Sequence, residues 1–207
     1  MAITTYAELK TTVADWLARS DLTSYIDDYI DLAESEFNRD IRHRRMVTST
    51  TLTTVADTAT VAVPSDFREA RALILQSSPN VILEYRTTQT LEDRYKDGAN
   101  GKPASYTMIG DTFKFGPTPD AVYSVTLEYY AAIPALSDSQ TTNWLLTNFP
   151  DVYLSGVLMK ASAFIHDDER VAMWENFQAK ALASLERDGE RSEIAGAMAS
   201  EPDIQVV

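Results

Sequence analysis

The sequence has no cysteine among its 207 residues. Disulfides, thiolate metal sites and thiol nucleophiles are therefore excluded, while the redox compartment stays open. It also lacks any run of about 18 apolar residues, and its opening "MAITTYAELK" has neither the basic nor the apolar region of a signal peptide. A soluble, unexported product is expected. No Walker-type phosphate loop, dinucleotide-binding glycine fingerprint, HExxH or GxSxG occurs, so nothing announces an enzyme and no cofactor or metal is expected. Cations are scarce as well: 18 Lys and Arg stand against 31 Asp and Glu, a net charge of -13. That balance opposes simple phosphate-backbone binding, which needs a basic patch, and suits a surface that DNA passes without sticking.

What is present is enough for a real core. At 44% hydrophobic residues, a chain of this length can form one large domain or two small ones and bury roughly 70% of its unfolded surface. "TYAE" at 5–8 reads as a capping box opening a first helix with Tyr6, Leu9, Val13, Trp16 and Leu17 on one stripe. A second helix carries Ile26, Ile30, Ala33, Phe37 and Ile41 and runs into "RDIRHRR". From Met46 the composition turns to Thr and Val. "VTSTTLTTVADTATVAVP" reads as a β-hairpin, and strands are expected at 71–76, 81–86, 105–109, 112–116 and 123–131, with "GD" as a two-residue turn and a short helix near 88–97.

Helices return at Pro150, whose fixed φ and missing N–H suit a first helical turn. Asn148 is the expected cap, the apolar "NWLLTNF" before it a lid over the helix start, and the helix is expected to run to Ile165. A last helix from Asp167 to about Arg191 places Val171, Trp174, Phe177, Ala181, Leu182 and Leu185 on its buried face. The expected fold class is therefore α+β. It consists of a four-helix bundle made by helix pairs 1–45 and 141–192, an inserted small antiparallel β-domain at 46–140, and an extended C-terminal arm at 193–207.

Three clusters carry candidate chemistry. "HDDER" (166–170) sets His166 beside three carboxylates, but successive helical residues point about 100° apart and do not converge on one ion, so Asp167 and Asp168 suit a cap and His166 a linker. Arg39, Arg42, Arg44 and Arg45 could meet phosphate or an acidic partner, although any helix end favours cations. Tyr129 and Tyr130 look like a stacking pair, yet neighbours on a strand face opposite sides and one of them is expected in the core.

The order of "TTYAELKTTVADWLARSDL", "IDLAESEFNRDIR", "VPSDF", "GKPASYTMIGDTFKFGPTPDAVYSVTLEYYAAIPALSD" and "TNWLLTNFPDVYLSGVLMKASAFIHDDERVAMWENF" resembles the head-to-tail adaptor (connector) proteins of tailed bacteriophages. The resemblance implies a structural protein of the virion neck, made in the host cytoplasm. It implies a ring of twelve subunits that docks on the portal protein, carries a downstream tail or nozzle protein, and surrounds double-stranded DNA without binding it specifically. No membrane partner and no catalytic residue are implied. Within this reading Ile204, Val206 and Val207, three apolar residues on an acidic tail, are the expected contact with portal or neighbour, and the four arginines the secondary one. The competing readings are a carboxylate-based, cell-wall degrading hydrolase and a cellular α+β interaction module.

Overall fold

The computed structural model describes residues 3–98 and 100–198. The described residues fall into two compact units, one made of those up to Arg45 together with those from Ile133 on, the other of Met46–Ala132.

The helical unit begins with α1 (Tyr6–Leu17), and the capping box forms as the residues dictate: the Glu8 N–H donates to Thr5 Oγ1 at 3.3 Å, and the Thr5 N–H donates to Glu8 Oε2 at 3.0 Å. Tyr6, Leu9, Val13 and Leu17 are buried, but Trp16 turns outward and is 55% exposed. A 3-10 segment (Ser20–Tyr25) leads to α2 (Ile26–Asp40), and Asp27 ties the two helices by accepting from Tyr6 Oη at 2.9 Å and pairing with Lys10 at 2.8 Å. The Lys10 ammonium holds Asp27 below the usual carboxylate range.

After residue 133 come α4 (Trp144–Asn148), α5 (Pro150–Phe164) and α6 (Asp168–Met198). The cap expected at Asn148 belongs instead to Asn143, whose Oδ1 accepts the Leu146 N–H at 2.9 Å and starts α4 one step earlier; Phe149 precedes Pro150 without a side-chain cap. The lid over the start of α5 is thus itself a helical turn, with Leu145 and Leu146 fully buried.

The expected four-helix bundle is not what forms. Two pairs would each share one stripe, whereas α5 is buried around most of its circumference, at Val152, Tyr153, Ser155, Gly156, Val157, Leu158, Ala161 and Ser162, and packs on α1, α2, α4 and α6. It is a central helix with others arrayed about it. It approaches α2 closely at Gly156, where an added Cβ would stand 2.7 Å from the Phe37 ring. Nor is the segment from 193 an extended arm throughout, since α6 continues to Met198.

The second unit is not a small antiparallel insertion but two four-stranded sheets around one core. The strands are β1 (Val47–Thr53), β2 (Thr60–Ala62), β3 (Phe67–Leu75), β4 (Val81–Ile82), β5 (Glu84–Tyr85), β6 (Ser105–Ile109), β7 (Thr112–Gly116) and β8 (Ser124–Ala131). Their orders are β1-β8-β3-β4 and β2-β7-β6-β5. The β5–β6 pair is parallel, with Glu84 opposite Ser105. The Thr-rich stretch is no hairpin: Val55 and Thr58 do bridge around Asp57 at φ 61°, but β1 then pairs with β8 and β2 with β7, so the chain changes sheet there.

The turn between β6 and β7 does form at Gly110, whose φ of 55° a side chain would resist. Helix α3 (Thr88–Arg94), capped by Thr87, lies so close to Gly116 that a Cβ there would clash with Tyr95 and Leu91. Between the sheets, Leu52, Phe67, Leu73, Leu75, Phe113, Phe115, Val125 and Leu127 make an apolar core. Tyr129 joins its edge, donating to Asp66 at 2.9 Å, and burial pushes its phenol up to about 12.

Candidate functional site

The arginine cluster comes apart once α2 ends at Asp40. Arg39 pairs with Asp40 at 3.2 Å, and Arg42 Nη1 donates to the carbonyls of Asn38, Arg39 and Ile41 at 3.3, 3.2 and 2.7 Å, closing the helix C-terminus. Only Arg44 and Arg45 of the four are turned outward without a role in that helix end. Between them and Arg42, His43 is 2% exposed and stacks on Trp144 with ring centroids 5.2 Å apart. Its Nδ1 accepts the Arg45 N–H at 3.2 Å, so Nε2 carries the proton and faces Asp188 of α6 at 3.4 Å. Burial lowers the His43 pKa, in keeping with a neutral ring.

Deeper in the helical unit lies a polar hub not foreseen from the sequence. Glu34 is 5% exposed, and its Oε1 accepts from Tyr153 Oη at 2.8 Å and from the Leu136 N–H at 2.9 Å. Asn143 Nδ2 donates to Tyr153 Oη at 2.6 Å and to the Pro134 carbonyl at 2.8 Å. Asn38 adds a further tie, accepting the Ile133 N–H at 2.7 Å. Desolvation raises the pKa of both Glu34 and Tyr153. The sequence signal was a charge on the apolar stripe of α2, next to Ala33 and between Ile30 and Phe37. The hub positions chain segments: through Glu34 Oε1 it ties α2 to α5 and to the backbone at Leu136.

"HDDER" is spent on a helix start. His166 sits in the turn with φ 55°, and the Asp167 carboxylate accepts the Arg170 N–H at 3.1 Å and pairs with the Arg170 guanidinium at 3.3 Å. Asp167, rather than Asp168, is therefore the cap of α6. Among the described residues, no group of three or more His, Asp or Glu could hold a metal ion, and no helix is long and apolar enough to cross a membrane.

What remains are surfaces. On the helical unit, Trp16, Leu154, Trp174, Phe177, Lys180 and Ala181, with Asp151 and Ser155, line an apolar groove of about 260 Å³. Trp16 packs on Trp174 at 5.3 Å and Trp174 on Phe177 at 5.6 Å, yet Trp16 and Phe177 remain 55% and 54% exposed. Phe177 thus leaves the buried stripe expected of it, and Gln178 takes the place between Trp174 and Ala181. A second aromatic face joins Tyr25 and Phe164 at 5.4 Å, both exposed. On the β unit, Val63, Pro64, Arg68, Met108 and Asp111 line a more polar hollow at the "VPSDF" stretch. Tyr130 lies under Arg71 and is half-buried, whereas Tyr129 is core. Ile204, Val206 and Val207 lie outside the described residues.

No curated protein matches the sequence. The model of the SU10 adaptor protein family matches residues 4–200, which takes in both units and every element above, and the chain belongs to that family.

Proposed function

We propose that the chain is a structural head-to-tail adaptor that docks as a ring, of twelve subunits, on the portal of a tailed phage and offers the platform for the next tail or nozzle protein. The family match over residues 4–200 carries this reading. The exposed aromatic surfaces of the helical unit support it, because large apolar side chains in contact with one another and with solvent mark interaction sites more than catalytic ones. The net charge of -13 fits a ring whose bore passes DNA without holding it. In this reading Ile204, Val206 and Val207 make the contact with portal or neighbouring subunit, and Arg44 and Arg45 provide the secondary one, Arg39 and Arg42 being engaged at the end of α2. The virion neck is then its place.

The test is co-sedimentation with purified portal rings, full chain against a chain truncated after Met198. Circular dichroism and melting should hardly change on truncation, while portal decoration should fall sharply. Equal decoration by both chains moves the contact to the Arg44–Arg45 end; no decoration by either overturns the adaptor reading.

A further inference from the structure

The groove of α1, α5 and α6 is built to be filled. Its floor and walls are Trp16, Leu154, Trp174, Phe177 and Ala181, and Lys180 stands at the rim with its ammonium 6.0 Å above the Phe177 ring. The chain itself supplies a segment of the matching chemistry: "EPDIQVV" (201–207) has apolar Ile204 and Val206 two apart, and Glu201 and Asp203 just before them to meet a lysine. Two apolar residues spaced by two lie on one side of an extended strand, as a groove lined by rings requires.

Reach decides whose segment this is. The groove residues of α6, Trp174 to Ala181, lie 24 to 17 residues before Met198, about 36 to 25 Å back along the helix axis. Ile204 is six residues beyond Met198 and Val206 eight, so even a fully extended chain carries them at most about 22 and 29 Å. Nothing is left for the chain to reverse direction. At full stretch Val206 of the same molecule gets no further than the Ala181 end, and it stops short of Phe177, about 32 Å back, and of Trp174.

We infer that the Trp16–Trp174–Phe177 groove receives the segment around Ile204 and Val206 from a second copy of this chain, linking neighbours head to tail. This rests on the ring reading above, since an assembly is what brings a neighbour's segment within range. Such a contact joins two different surfaces of each copy, the arrangement that closes into rings. Each single contact is weak because ordering a short segment costs entropy, and the ring gains strength from the number of copies engaged.

The lack of cysteine makes the test clean, because introduced thiols are the only ones. Lys180→Cys and Val206→Cys are made as separate variants, each checked for unchanged melting and for labelling by a maleimide. They are then mixed at high concentration, with and without portal rings, under oxidised glutathione. The expected result is a disulfide-linked pair containing one of each variant, in yield well above either variant alone, and competed away by a synthetic 199–207 peptide. Adding Phe177→Asp to the first variant should lower the yield roughly tenfold or more, the consequence of a carboxylate in an apolar contact. Absence of the mixed pair while both thiols label overturns the inference. A Lys180→Cys/Val206→Cys chain carrying both thiols is made as well, and its disulfide forming only within one chain also overturns the inference. Portal co-sedimentation on the same samples separates the two readings: decoration without a mixed pair removes the groove assignment alone, and a mixed pair without decoration removes the adaptor reading and leaves the groove.

Discussion

The two units bury different things. Between the sheets the core is apolar, with Phe67, Phe113 and Tyr106 in edge-to-face contact and Leu73, Leu75 and Leu127 fully enclosed. In the helical unit a carboxylate sits on the inner face of α2, and three separate chain segments converge on it or on its partners. The first kind of core tolerates many apolar sequences and depends on volume; the second depends on each polar atom finding its partner. This chain therefore combines a sheet unit held by packing with a helical unit whose apolar core is further pinned by hydrogen bonds.

The largest effect should come from the apolar side of this contrast. Phe113→Ala removes a fully buried ring and should cost about 3 to 5 kcal/mol, with a loss that stays flat across pH 4 to 8 in denaturant titrations. A loss that varied with pH would show that a titrating group lies against the Phe113 ring.

Glu34→Ala comes next. It leaves Tyr153 Oη and the Leu136 N–H without their acceptor and should cost about 2 to 3 kcal/mol. Glu34→Gln sharpens the comparison through pH. Because burial raises the Glu34 pKa, the folded chain keeps a proton that the unfolded chain releases between the ordinary carboxylate pKa and the raised one. Its contribution is thus fullest below that window and declines as pH climbs through it. Melting temperatures measured from pH 4 to 8 should move in favour of the Gln variant as pH rises, and parallel curves would place the carboxylate outside the core.

The smallest effects are at the start of α6. Asp167→Ala removes the cap and should cost about 1 kcal/mol, whereas Asp168→Ala removes only a charge near the macrodipole and should cost about 0.3 kcal/mol. Equal losses in thermal melts would mean that both act through charge alone.

What the sequence disclosed was what is local. The Thr5–Glu8 box, the Gly110 turn and Pro150 at a helix start are each settled within four residues and each is found in place, and the short helix expected near 88–97 forms over Thr88–Arg94. The Thr-rich hairpin failed because a strand's partner is chosen by the whole fold: β1 finds β8, with Leu52 opposite Val125, and β2 finds β7. The four-helix bundle failed for a related reason, since periodicity marks an apolar stripe but does not say how many neighbours share it, and α5 has four. The groove was hidden in the same way: Trp16 and Phe177 lie on the expected stripes, and only the packing leaves them open to solvent. Glu34 was overlooked because a single charge breaks no pattern until its partners are known.

Those partners set a timetable. Glu34 waits for Leu136 and Tyr153, which leave the ribosome 102 and 119 residues after it, while every strand of the sheet unit lies between them. The sheet unit is complete in the nascent chain before the second half of the helical unit has been made, so it can fold while Glu34 still lacks its partners. Throughout that interval α1 and α2 have no α5 to cover them. The groove of Trp16, Trp174 and Phe177, which needs α5 and α6, is then among the last surfaces to be finished, and a chain that stops short of α5 cannot present it.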